Sequence, residues 1–182
     1  MKEIRIHGRG GQGAVVAARI MVIAFVREGK WGSGFPTFGA ERRGAPVMAF
    51  VRLDDRPVRE RSRVYYPDCL MVIDPLLVNN ASIFDGIKPG GTLILNTAES
   101  SRKRYHVNLG VTGFVNATQI GLEEVGMPIT NTCMLGAFAR TTGWVQLDSI
   151  LSSLEEYFSG DILKKNQRCV ERGFGETEVV KF

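Results

Sequence analysis

The sequence predicts an α/β fold in a single domain, 1–182. It is Rossmann-like: a mostly parallel, twisted sheet with helices on both faces. Three observations carry this reading. Apolar strands and helical stretches alternate along the chain, the order that builds a parallel sheet. The strands are near-continuous apolar runs, as strands buried on both faces are. A glycine-rich turn, Gly8-Arg9-Gly10-Gly11-Gln12-Gly13, follows the first strand and opens the first helix, the context a G-x-G-x-x-G turn requires. A chain of 182 residues fits one domain and buries about 70% of its unfolded surface without staples.

Each element has its own signal. Lys2 to His7 alternates, with Ile4 and Ile6 on one face, and reads as a strand. Ala14 to Glu28 reads as a helix stopped by Gly29, apolar around most of its circumference and so buried against a sheet. Lys30 to Gly39 reads as an irregular strand feeding a loop. Val47 to Leu53 is a strand closed by an Asp54-Asp55 turn, and Cys69 to Ile73 is a buried strand. Asp74-Pro75 opens a short helix to about Asp85, with Asp74 as its cap; Asp74 also follows a buried strand at its carboxyl end, where ligand sites of α/β folds cluster. After the Lys88–Gly91 turn, Thr92 to Leu95 is another buried strand. Asn116 to Glu124 and Asn131 to Thr142 read as helices, with Asn131 as a cap. Asp148 caps a helix through Phe158, and Asp161 caps one through Arg172.

Composition narrows the function. Hydrophobic residues make up 44% and charged residues 23%, which excludes a disordered chain. The longest apolar stretch, Ile20 to Val26, lies between Arg19 and Arg27 and is too short to cross a bilayer. With no signal-peptide core at the start, a cytoplasmic protein is expected and no membrane partner. Cys69, Cys133 and Cys169 lie far apart, in no CxxC or Cys/His pattern, and read as buried small hydrophobes. No metal site is expected on this chain. Residues 1–63 carry 13 Lys+Arg against 6 Asp+Glu, and residues 64–182 carry 10 against 13. The basic first third suits an anionic ligand or an acidic partner surface. A nucleic-acid role needs a charged docking helix, and the first helix carries only Arg19 and Arg27.

The glycine turn has a chemistry of its own. Glycines let the backbone approach a phosphate, and the free N–H groups at the following helix start favour an anion. Arg9 adds charge. A stand-alone NAD(P)-binding Rossmann oxidoreductase is the alternative this turn raises. It demands an acid about 20 residues on, at the end of the second strand. Glu28 falls at a helix end and Glu41 in a loop, and neither fits. A second cluster, Phe35 to Pro46, packs aromatics, glycines and the Arg42-Arg43 pair into one connection. Two phenylalanines in a loop point to core contacts or to a partner, and paired arginines suit phosphate or carboxylate.

Four motifs stand in one order: Gly10-Gly-Gln-Gly13, Phe38-Gly-Ala-Glu-Arg-Arg-Gly-Ala-Pro-Val47, Pro67-Asp68 before a buried strand, and Asn131-Thr-Cys-Met-Leu-Gly-Ala137. With these the chain resembles the gamma subunits of pyruvate/2-oxoacid:ferredoxin oxidoreductases (the pyruvate synthase family) over essentially its whole length. The Phe38–Pro46 motif looks most like the pyruvate-type branch. The resemblance implies a multi-subunit complex that converts a 2-oxoacid and coenzyme A to acyl-CoA and CO2 and reduces ferredoxin. It places thiamine diphosphate, magnesium and iron–sulfur clusters on partner subunits, so no catalytic residue is expected here. It makes coenzyme A a ligand of this chain, through Arg9, Gly10, Gly11, Gln12 and Gly13 first and Arg42 and Arg43 next.

Overall fold

The computed structural model describes residues 1–37, 44–99 and 102–182. Among them seven strands form one sheet: β1 (Lys2–Arg9), β2 (Trp31–Pro36), β3 (Pro46–Asp54), β4 (Cys69–Val72), β5 (Gly91–Asn96), β6 (Leu109–Val115) and β7 (Glu178–Lys181). Their order is β2-β3-β1-β4-β5-β6-β7. β1, β4, β5 and β6 pair in parallel, while β3 runs antiparallel to both β1 and β2, and β7 antiparallel to β6. Five strands therefore point one way and β3 and β7 the other, a mostly parallel sheet.

The pleat divides the core into two. Ile4, Ile6, Cys69, Met71, Ile73 and Ile94 face one side, with the five α-helices. These are α1 (Ala14–Arg27), α2 (Ala117–Val125), α3 (Asn131–Thr142), α4 (Leu147–Ser153) and α5 (Gly160–Glu176). Leu70, Val72, Leu93 and Leu95 face the other side, under two short 3-10 helices, Pro75–Asn79 and Ala81–Phe84. Helices cover both faces, but unequally. α1 is the most apolar of them, with Ala17, Ile20, Met21 and Ala24 wholly buried, because it lies between the sheet and α3 and α4. Burying each larger side chain contributes about 1.5–3 kcal/mol.

Several local expectations need correction. The single helix expected from Asp74 to Asp85 is two 3-10 turns. Asp74 and Asn80 each accept a hydrogen bond from the backbone N–H two residues on, and Asn80 is extended. Such side-chain bonds compete with a continuing helix. Asp74 still caps, as expected. Thr130, not Asn131, is the N-cap of α3, and Asn131 is its first residue. Gln146 precedes α4, with Asp148 inside the first turn, and the helix tightens to a 3-10 turn at Leu154–Glu156. Ser159 precedes α5, with Asp161 again in the first turn, where a carboxylate favours the helix dipole without capping. Strands β6 and β7 have no clear sequence signal. Gly110 and Gly113 interrupt β6, and a Cβ at Gly113 would collide with Thr141 of α3. All three cysteines are buried free thiols, and burial pushes each of them upward in pKa, Cys169 to about 11. No helix among the described residues is long and apolar enough to cross a membrane.

Helices α3 and α5 cross backbone against backbone. A Cβ at Gly173 would overlap the Cys133 carbonyl, and one at Gly136 the Val170 carbonyl. Overpacking of this kind costs about 1–3 kcal/mol. Gly173→Ala should therefore lower the melting temperature by roughly 5 °C. Gly175→Ala, two residues on in the same helix with open space around it, should leave it unchanged or raise it slightly, since alanine is the better helix former. Thermal denaturation of the two variants checks the contrast.

Candidate anion site at the β1–α1 turn

The chain leaves β1 through α1 toward β2 and β3 on one side, then returns to β4 on the other. The crevice between the carboxyl ends of β1 and β4 is thus the point where the connections diverge, the usual ligand position in an open α/β sheet. Three side chains close it. Arg9 ends β1, Gln12 lies in the glycine turn, and Asp74 follows β4. Arg9 Nε donates to Asp74 Oδ2 at 3.0 Å, and Gln12 Nε2 donates to the same oxygen at 3.0 Å. Gln12 Oε1 in turn accepts from the Arg9 backbone N–H at 2.7 Å. Asp74 Oδ1 accepts from Leu76 N. One carboxylate therefore holds the turn, the end of β4 and the next 3-10 helix together. On the outer side, the Gly10 N–H donates to Ala45 O and the Gly44 N–H to Gly10 O, while Arg9 Nη1 donates to Gly44 O at 3.2 Å.

The turn delivers an uncapped helix. Gly13 is the N-cap of α1, at φ +78°, and supplies no side chain to the first-turn N–H groups. Nor does an acidic residue lie in that turn. The N–H groups opening α1 and the positive end of its dipole are thus left for an anion. Gly13 is needed twice over. Its φ lies in the left-handed region, and a Cβ there would collide with the Asn131 carboxamide, whose Nδ2 donates to Gly13 O at 3.4 Å. Asn131, expected only to cap α3, instead braces the turn across the fold. Its Oδ1 is buried without a partner among the described residues.

The five expected residues of the turn, Arg9 to Gly13, come together here. Gln12 and Arg9 are engaged with Asp74 rather than free, although Arg9 Nη2 has no partner among the described residues. Arg42 and Arg43, like Phe38, lie outside the described residues. Phe35 folds back on the core, its ring 5.5 Å from that of Phe50. Asp74 and Asn131 are the residues whose part in the turn sequence reasoning missed. Both were legible as helix starts, and only the fold brings them to the glycines.

The dinucleotide alternative loses its geometry. The strand after α1 is β2, at the sheet edge, separated from β1 by the antiparallel β3. No neighbouring parallel strand end follows α1 to present an acid to a ribose. Glu28 caps the end of α1 and accepts from Gln146 N and Lys30.

Comparison with known proteins shows the family. The family model of pyruvate ferredoxin/flavodoxin oxidoreductase matches residues 3–176. The chain belongs to this family. It is 47% identical to the pyruvate/ketoisovalerate oxidoreductases common subunit gamma of Thermococcus kodakarensis over 182 residues, 98% of each chain. It is 45% identical to the gamma subunit of the NADH-dependent phenylglyoxylate dehydrogenase of Aromatoleum evansii, covering 98% of this chain and 95% of that one. The crystal structure of the pyruvate oxidoreductase subunit PORC from Thermotoga maritima superposes with a TM-score of 0.87 at 36% identity, over 99% of this chain and 98% of that one. The family resemblance read from the four motifs is borne out.

The turn and the strand before it each have a measurable consequence. Gly13→Ala should cost about 2 kcal/mol or more, from the left-handed φ together with the Asn131 clash. In the Asn131→Ala background the cost should fall to about 1 kcal/mol, a coupling that chemical denaturation of the double-mutant cycle would measure. The second concerns His7, on the face of β1 turned away from the α-helices, which burial and then Arg5 hold down at a pKa of about 3. The unfolded chain binds a proton there below about pH 6.5, and the folded chain does so only near pH 3. Stability should therefore fall by about 1.4 kcal/mol per pH unit as the pH is lowered through that window. His7→Gln should remove that component of the slope between pH 6 and 4.

Proposed function

We propose that this chain is the gamma subunit of a multi-subunit pyruvate/2-oxoacid:ferredoxin oxidoreductase. The observation that carries the reading is the full-length match to gamma subunits of 2-oxoacid oxidoreductases, with the whole chain 1–182 serving as one gamma-type domain. In such a complex a 2-oxoacid loses CO2, its acyl carbon is joined to the thiol of coenzyme A, and the released electrons pass to ferredoxin. Thiamine diphosphate with magnesium supplies the carbanion chemistry and iron–sulfur clusters carry the electrons, both on partner subunits. The three buried thiols of this chain do not serve as cluster ligands in this reading. Its place is in the cytoplasm, docked on its thiamine-binding and ferredoxin-like partners.

In this reading the chain completes the complex and holds an anionic part of coenzyme A at the Gly10–Gly13 turn. The uncapped first turn of α1 suits a phosphate, since its N–H groups need an acceptor and its dipole a negative charge. Asp74 and Gln12 fix the turn so that no ordering is required when the ligand arrives. Arg9 Nη2 adds positive charge beside it, and Arg42 and Arg43, outside the described residues, are the next candidates for contact with the anion. Asp74 spends part of the Arg9 charge, so the backbone N–H groups carry more of the binding than the guanidinium does.

The test uses the assembled enzyme. Arg42→Ala/Arg43→Ala should raise the KM for coenzyme A by about tenfold and flatten its dependence on salt, with assembly intact. Normal KM and normal salt dependence in the intact complex would remove these arginines from the ligand site. Loss of assembly with normal kinetics in the remaining complex would place them at a subunit interface instead. Purified alone, the chain should not turn over pyruvate, even with thiamine diphosphate, magnesium and coenzyme A supplied.

A further inference from the structure

On the face of the sheet opposite the α-helices, a cavity of about 540 Å³ opens over β1 and β3, beside Val64 and Ile83. Its floor is Arg5 and His7, 7% and 6% exposed. The Arg5 guanidinium is held by neutral acceptors. Nε donates to His7 Nε2 at 3.0 Å, and Nη2 donates to the carbonyls of Ile83 and Asp85 at 2.7 and 2.8 Å. Nη1 has only the Val64 carbonyl, at 3.4 Å. No carboxylate of the described residues forms an ion pair with Arg5; Asp85 acts on it only at longer range. A buried cation without a counter-charge is costly, and proteins seldom keep one without a use. His7 adds a second donor. Because Nε2 accepts from Arg5, the ring proton sits on Nδ1, which has no partner among the described residues.

The rest of the lining is mixed, with Asn80 and Ser82 among its polar members and an apolar part over β3. Val47, Met48, Phe50, Val64 and Leu77 line it, and Tyr65 and Tyr66 stand at its rim, 64% and 68% exposed. Arg63 and Asp85 also line it, with opposite charges. Two guanidinium groups against one carboxylate leave a single net positive charge. That balance fits a monoanion better than a phosphate dianion. The volume falls within the roughly 300–1,000 Å³ of small-molecule sites, which are mostly apolar with a few convergent polar groups.

We propose that this cavity binds a small organic monocarboxylate with an apolar body, its carboxylate taken by Arg5 and His7 at the floor and its body by Phe50, Met48 and Leu77. The site is separate from the coenzyme A reading, since α1 starts on the other face of the sheet and none of its N–H groups lines this cavity. A carboxylate at Arg5 Nη1 supplies the missing counter-charge in a low-dielectric setting, where a charge-assisted bond is strongest.

The experiment is calorimetric titration of the full chain with phenylacetate and, separately, with phenylacetamide, the same body without the charge. Phenylacetate should bind, and phenylacetamide should bind at least about tenfold more weakly. Arg63→Glu, an exposed change that leaves the fold intact, should weaken phenylacetate by about tenfold. Arg5→Met, checked for folding by circular dichroism, should abolish it; if that variant does not fold, the amide comparison and Arg63→Glu still decide. Equal binding of acid and amide would overturn the proposal, as would no binding up to about 10 mM. No phenylacetate binding, together with loss of complex assembly in Arg63→Glu, would also overturn it and assign the cavity to a partner polypeptide.

Discussion

The Asp74 carboxylate fixes the glycine turn to the end of β4, at the point where the connections from β1 and β4 diverge. β1 and β4 are parallel neighbours whose following connections run in opposite directions. The backbone ladder between them ends where the Ile73 N–H donates to His7 O. Beyond it Asp74 extends the link, taking Arg9 and Gln12 on one oxygen and the Leu76 N–H of its own segment on the other. The Asp74 side chain is 10% exposed and that of Arg9 35%, so the pair is shielded on the carboxylate side. Removing Arg9 or Gln12 leaves that nearly buried carboxylate short of a partner. The glycine turn therefore has one shape, and α1 starts where Gly13 places it.

That arrangement separates this chain from the dinucleotide fold it resembles in outline. The same glycine spacing occurs in both, and in both it brings a helix N-terminus to the end of β1. Here, however, α1 leads to an edge strand paired through the antiparallel β3. The ribose-binding position has no strand to carry it. What survives is an uncapped helix start held still by side chains, the anion site proposed above. A site of that kind would suit a subunit that positions a ligand for chemistry elsewhere. It would also fit relatives whose names carry different 2-oxoacids and electron acceptors, since a backbone site takes no part in that choice.

Much of the fold was legible in the sequence. β1, α1, β3, β4, β5 and α3 each fall within a residue or two of the periodic pattern that predicts them, because each buries an apolar face. β6 and β7 were not legible. β6 carries two glycines where the neighbouring chain comes close, and β7 is four half-exposed residues at a sheet edge. The caps were misplaced for a similar reason: Asp148, Asp161 and Asn131 are all capping residue types, but each lies one or two positions inside its helix. In the candidate site, the glycines were visible from their spacing. The contacts of Asp74 and Asn131 with them were not, because these two reach the turn over 62 and 118 residues of sequence. Arg5 was invisible as a site residue. It sits in an alternating strand, where an arginine reads as solvent-facing, and only the cover supplied by Val64 and Ile83 buries it.

The claim that most of this account depends on is that a ligand anion meets the uncapped start of α1. Hydrogen–deuterium exchange of the assembled enzyme, followed by mass spectrometry with and without coenzyme A, tests it directly. The account predicts slowed exchange in peptides spanning Gly8 to Ala18 when coenzyme A is bound, where the N–H groups of the turn and the first helical turn gain an acceptor. Unchanged exchange across Gly8 to Ala18, with protection confined to other peptides or other subunits, would contradict it.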